Sequence, residues 1–229
     1  SIENIKKKIP GLLEKRNLII NNEKTEEYQI QKEGDIEWKK CKYLGTLLDT
    51  ENDMRRRKGL ANDAMKKIRN ITRDRRVDDD IKLRAFNAYT TSIFLYNSET
   101  WTLSKRTSEA VDSYHRRMLR NAIDVRWPKK ISTEDLYNRT MEKPWSKTIR
   151  TRRLRMYGHA MRLPTEAPIR IALEEYERPL RMARGARKFT WKRNIDDDLK
   201  SIGIDRETAN QATQDRKKWR GLIHRCGDD

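Results

Sequence analysis

The chain has 229 residues, of which 53 are Lys or Arg and 35 are Asp or Glu, giving a formal charge of +18. Only 35% is hydrophobic against 38% charged, yet six Trp and eight Tyr supply large anchors for a core, so disorder throughout is excluded. No run of about 18 apolar residues exists to span a membrane, and Cys41 and Cys226 form neither a disulfide framework nor a zinc-ligand spacing.

A charge of this size opposes self-packing and favours a polyanionic partner. The sparse cysteines suit a reducing, intracellular compartment, and nucleus and cytoplasm are the expected locations. No signal peptide is read at the start, and the opening Ser1 suggests a processed product or a fragment.

In chain order, Ile2 to Leu13 carries a helical pattern that Pro10-Gly11 interrupts. Leu18, Ile19 and Ile20 then shift toward strand, followed by an Asn-Asn turn and an alternation at Tyr28 and Ile30. "WKKCKYLGTLL" reads as a short strand pair bending at Gly45. This is the only β-like region, and it looks like the edge of a larger sheet.

From Asp49 onward the pattern is helix after helix. Asp53 to about Ile71 is basic and amphipathic, with Met54, Leu60, Ala64, Met65 and Ile68 as its apolar side. The next stretch, from Val77 to Tyr96, opens on Asp78–Asp80, which suit a helix N-terminus. Ile81, Ala85, Phe86, Tyr89, Ile93 and Tyr96 then recur at three-to-four spacing, which predicts the central core helix. Ser104 to about Ile123 repeats the pattern through Val111, Tyr114, Met118, Leu119 and Ala122.

Trp127-Pro128 stops that helix. Ser132 or Thr133 caps a short helix, and Trp145 to Arg162 forms the next. "APIRIALEEYER" is followed by a basic connector from Arg178 to Lys188. Two final helices are expected, Trp191–Ile202 and Arg206–His224, with Gly203 between them. The fold class is therefore mainly α, a bundle-like helical array behind a small N-terminal β-hairpin. Its expected divisions are 1–50, 51–125 and 126–229.

The segment "RRLRMYGHAMRLP" (152–164) invites a metal or catalytic reading of its histidine. On a helix from Trp145, His159 falls about 40° from Trp145 and about 60° from Met156, beside the apolar stripe. A zinc site needs three or four ligands at compatible spacing, and His115 and His224 supply no such pattern. A packing histidine is the better reading, with Gly158 allowing a close helix contact.

The acidic runs Asp78–Asp80 and Asp196–Asp198 suggest two-metal chemistry, but consecutive carboxylates fan around a helix rather than converge. The second run reads as a solvated face. The arginines carry more weight, because they recur along the whole chain and offer planar bidentate contact to phosphate. Such contacts position a protein on nucleic acid without reading bases.

Several blocks share an order with a known family: "IINNEKTE" (19–26), "CKYLGTLLDT" (41–50), "LYNSETWTL" (95–103), "RRMLRNAIDVRWPKKIS" (116–132), "RRLRMYGHAMRLP" (152–164) and "GARKFTWKRNIDDDL" (185–199). Together they resemble the C-terminal half of non-LTR (LINE-type) retrotransposon reverse transcriptases. The resemblance spans nearly the whole chain and rests on order and spacing more than on any single block.

It implies that residues 1–50 are the end of a polymerase palm, 51–125 a thumb and 126–229 a C-terminal basic linker region. Asn21-x-x-Lys24-Thr25 looks like palm motif D, which implies that Lys24 lies near the incoming triphosphate; spacing alone favours a surface lysine at a turn. Tyr43-Leu44-Gly45 is similar to the hairpin that grips the primer terminus. The palm's metal-binding aspartates and the N-terminal endonuclease are absent from the sequence, so this chain alone is not expected to polymerise DNA. Magnesium is implied only for the full-length polymerase, and the upstream polymerase region is the implied structural partner.

The expected function is thus to hold an RNA and DNA template–primer through phosphate contacts. The expected contributors are Tyr43, Gly45, Arg55, Arg56, Arg57, Arg152, Arg153, Arg155, Arg162, Arg184, Arg187 and Lys188. No membrane is expected as a partner. The alternative is a helical protein-interaction module from a degraded or recruited element, its charge serving an acidic protein.

Overall fold

The computed structural model describes residues 2–25, 37–175 and 190–225. The chain divides into two compact units, Ser1–Asp49 and Thr50–Asp229. The described residues are mainly helical, with one two-stranded antiparallel hairpin.

In the first unit, helix α1 (Ile2–Glu14) continues through Pro10. Proline removes one donor, so the carbonyl of Lys6 loses its helical partner. Residues 7–12 are exposed, which leaves the surrounding backbone accessible to water. The helix closes at Asn17, which takes a left-handed φ of 56°. The amides of Asn17 and Leu18 bond back to the carbonyls of Glu14 and Leu13, satisfying groups that a helix end leaves unpaired.

The strand expected at Leu18–Ile20 is not present. These residues lack a pairing partner among the described residues, and Leu18 and Ile19 are exposed. Tyr28 and Ile30 lie outside the described residues. Among the described residues, strand pairing is confined to β1 (Lys42–Tyr43) and β2 (Thr46–Leu47), with Tyr43 opposite Thr46. Leu44 at φ 47° and Gly45 at φ 80° form the turn between them. Two left-handed residues match the twist of a tight hairpin, so the bend expected at Gly45 involves Leu44 as well.

The second unit begins with α2 (Thr50–Lys67) and α3 (Arg69–Arg73). The expected third helix is present as α4 (Asp79–Phe86), a π turn at Asn87–Thr91, and α5 (Ser92–Phe94). Its buried line is Lys82, Phe86, Thr90 and Phe94, whereas Ile81, Tyr89 and Tyr96 are exposed. A four-residue spacing drifts about 40° per step on a helix of 3.6 residues per turn, and the wider turn absorbs that drift.

Helix α6 (Lys105–Ala122) is capped by Ser104, whose hydroxyl accepts the Thr107 amide at 3.2 Å. It buries the expected stripe of Val111, Tyr114, Met118, Leu119 and Ala122, together with His115. Ser132 caps α7 (Thr133–Thr140), and α8 (Trp145–Met161) follows. Then come α9 (Pro168–Glu175), α10 (Trp191–Ser201), α11 (Arg206–Gln214) and α12 (Arg216–Arg225).

Gly203, at φ 69°, separates α10 from α11 as expected. The single helix expected over Arg206–His224 is two. Asp215 leaves helical geometry and its carboxylate accepts the amides of Lys217 and Lys218, starting α12 afresh.

Two apolar clusters fill this unit. One gathers Phe86, Phe94, Trp101, Tyr114, Met118, Leu136, Trp145 and Ile149; the other gathers Leu154, Tyr157, Ile195, Leu199, Ala209, Trp219 and Ile223. They divide along α8, whose first half enters one cluster and whose second half enters the other. The division expected at 125/126 is therefore not where the packing changes, because α7 and the front of α8 belong to the first cluster. Asn194 ties α10 back to the chain before α6, accepting from the Leu103 amide at 2.8 Å and donating to its carbonyl at 2.7 Å.

Candidate nucleic-acid interface

Helix α8 repeats polar and basic residues on one face: Lys147, Thr148, Thr151, Arg152, Arg155, His159 and Arg162, the last just past its end, keep three-to-four spacing, with Met156 among them. The facing stripe of α12 is Arg216, Trp219, Arg220, Ile223 and His224, at the same spacing. Between these stripes lies an open groove of about 1280 Å³, with Lys143 and Glu99 at its margin. Glu99 is the one carboxylate among its lining residues, against seven Lys and Arg side chains. Such a wall concentrates positive potential and attracts polyanions.

Gly158 explains how the two helices approach. A Cβ at this position would overlap the indole of Trp219. That indole donates its Nε1 hydrogen to the Leu154 carbonyl at 3.0 Å, with Trp219 packed in the second cluster. The close contact expected at Gly158 is therefore present. His159 is different: it is exposed and lines the groove, so it does not pack against the core.

The arginines divide by depth. Arg155 is exposed on the groove wall. Arg152 donates to the Leu95 carbonyl at 2.6 Å and Arg162 to the Thr213 carbonyl at 2.8 Å, which holds both guanidinium groups against the wall. Arg153 faces the other way. It is buried and meets Asp198 at 3.1 Å, with Arg150 meeting the same carboxylate at 3.3 Å. Arg153 is thus an internal charge of the fold rather than a surface contact.

Asp198 is correspondingly not part of a solvated face. Burial pushes its carboxyl up to about 6, against the downward pull of Arg153 and Arg150. Burial likewise lowers the Arg153 guanidinium from its ordinary value, with Asp198 acting in the opposite direction. Three other acids of the two runs pair nearer the surface: Asp196 meets Arg206 at 3.4 Å, Asp79 meets Arg139 at 2.7 Å and Asp80 meets Arg84 at 2.7 Å.

On α2, Arg57 is also internal. Its guanidinium meets the buried Asp53 at 3.7 Å, donates to the Ile93 carbonyl at 3.4 Å and lies 4.6 Å from the Tyr96 ring centre. Arg56 is half-buried, 3.8 Å from Asp53, while Arg55 is exposed and donates to Asn52. None of the three lines the groove. In the first unit, Tyr43 is exposed beside Gly45, and Lys24 is exposed in a turn capped by Asn21. Arg184, Arg187 and Lys188 lie outside the described residues, as does Cys226.

The sequence reading missed Lys143, Lys147, Arg216, Arg220 and His224. The repeat at 216, 219, 220, 223 and 224 is legible as one helix face, but nothing local pairs it with α8. Among the described residues, no three His, Cys, Asp or Glu side chains come together as metal ligands. No helix among the described residues is long and apolar enough to cross a membrane. Comparison with protein-family models, with curated proteins and with solved structures returns no match for this chain.

Proposed function

We propose that this chain binds nucleic acid along the groove between α8 and α12, through phosphate contacts, as the C-terminal part of a non-LTR retrotransposon reverse transcriptase. The observation that carries the binding reading is the groove itself, lined by seven Lys and Arg side chains and one carboxylate. The ordered sequence blocks support the polymerase context. Lys147 to Arg162 extends about 22 Å along the helix, long enough to meet several phosphates. Arg supplies forked donors for phosphate oxygens, and Lys supplies mobile point charges. Phosphate contacts position a protein on nucleic acid and carry no sequence information by themselves.

The test is binding of the purified chain to an RNA/DNA primer–template, double-stranded DNA and single-stranded RNA across a salt series. The triple variant Lys147→Ala, Arg155→Ala, Arg220→Ala should bind double-stranded DNA more weakly. Its log–log salt slope should be shallower by about 0.9 for each phosphate contact removed. Preference for the primer–template supports the polymerase context. Unchanged affinity and slope would rule out the groove. Competition by polyglutamate as effective as competition by RNA would point instead to an acidic protein partner.

A further inference from the structure

The loop joining α6 to α7 displays a tryptophan that the fold does not use. Trp127 is 87% exposed, whereas Trp101, Trp145 and Trp219 are buried in the two clusters. The loop is held at both ends. The Val125 amide bonds to the Arg120 carbonyl at 2.9 Å, and the Arg120 guanidinium donates to the Ile131 carbonyl at 3.3 Å. Val125 and Ile131 both pack against the first cluster. Pro128 further limits the loop through its fixed φ. A short, anchored segment therefore presents the indole to solvent.

Its surroundings are basic. Arg126, Lys129 and Lys130 are exposed on either side of Trp127. Helix α3 packs beside α6 and adds exposed Arg69 and Arg73. The Arg73 guanidinium is lowered from its ordinary value by desolvation, then by the like charges of Arg126 and Arg69, while Asp124 acts oppositely. Asp124 is itself engaged by Arg126 at 3.0 Å. These groups make a second positive surface, built from other residues than the groove.

Chemistry narrows the occupant. Within 126–130 the indole and the ring of Pro128 are the apolar surface, and the other side chains are cationic. That is little area for an apolar protein surface, but it matches one unpaired base with phosphates on each side. A paired base inside a duplex hides its face, so the fit is to a single strand.

We propose that Trp127 stacks on a base of single-stranded nucleic acid, with Arg126, Lys129 and Lys130 taking the neighbouring phosphates. This rests on the nucleic-acid reading above but on different residues, so the two fail separately. The test compares Trp127→Ala and Trp127→Phe with the unaltered chain on a single-stranded RNA 15-mer and a 15-base-pair DNA duplex. Trp127→Ala should weaken single-strand binding about tenfold and leave duplex binding and Tm unchanged, with Trp127→Phe restoring most of the loss. Quenching of tryptophan fluorescence by the RNA should shrink in both variants, since each removes the indole.

Equal single-strand affinity for the alanine variant and the unaltered chain would overturn the proposal. So would an equal loss on duplex and single strand, a fall in Tm, or attachment to anionic vesicles that depends on Trp127 and excludes RNA. If the groove variant loses duplex binding while Trp127→Ala changes nothing, the stacking site alone is lost. If the folded chain binds no nucleic acid at all, both readings are.

Discussion

His115 and Asp198 are titratable side chains drawn inside the protein by neighbouring rings and charges. His115 is fully buried, with its ring centre 4.4 Å from that of Trp145 in a stacked arrangement. Burial lowers its imidazole to about 3, and Arg116 adds to that effect. The fold favours the neutral ring, so its contribution is complete above about pH 6.5 and declines as pH falls toward 3. Asp198 runs the other way: raised to about 6, it makes the folded chain hold a proton that the unfolded chain releases. Its contribution therefore declines as pH rises from about 4 to about 6. Thermal unfolding from pH 3 to 7 separates the two. His115→Phe should flatten the acid-side loss, whereas Asp198→Asn should steepen the rise between about 4 and 6. At pH 7, where Asp198 is ionised, the second variant should also lower stability by about 3–5 kcal/mol, because it leaves Arg153 buried without its carboxylate. Superimposable profiles for the original chain and His115→Phe would mean that His115 contributes nothing to the acid-side loss. Neither role was legible in the sequence, since identity and spacing do not say how far a charge is buried.

At the scale of elements, α8 organises the second unit. It presents Trp145 and Ile149 to one cluster, Leu154 and Tyr157 to the other, Arg153 to Asp198 and Arg155 to solvent. A helix covered on several sides cannot show one simple apolar stripe, which is why the arginines at 152, 153 and 155 looked equivalent in sequence. At Gly158 it lies directly against the Trp219 indole of α12. Gly158→Ala should force the Trp219 indole to move and cost about 1–3 kcal/mol or more through overpacking. Chemical denaturation checks this, and a variant as stable as the original would mean that the indole shifts at no cost. Helix α6 is the contrasting case. Its cap at Ser104 and its buried stripe both follow from sequence, because one broad apolar face meets one cluster.

For the whole molecule, Thr50–Asp229 forms a compact unit with its own two clusters. A chain of residues 50–229 should therefore unfold in a single cooperative transition and keep its helical content. Circular dichroism with heating tests that, and loss of the transition would mean that residues 1–49 are needed for folding. A chain ended after Met161 should behave worse, because Leu154 and Tyr157 would lose their cluster and Arg153 would lose Asp198. The groove also belongs to this scale, since its walls are separated in sequence by the whole of α9, α10 and α11.

The sequence by itself determined the mainly helical class, most helix starts, the end of α6 near Ile123, the break at Gly203 and the hairpin at Gly45. These depend on periodicity, capping and turn chemistry within a few residues. Tertiary structure alone decided which cations face inward, how α4 and α5 turn their buried line, and which two basic faces form one groove. Those outcomes depend on what covers each helix, and an Arg stem packs or solvates according to its neighbours. Arg153 and Arg155 make the point: two residues apart on one helix, one is held by a buried carboxylate and the other is left facing the open groove.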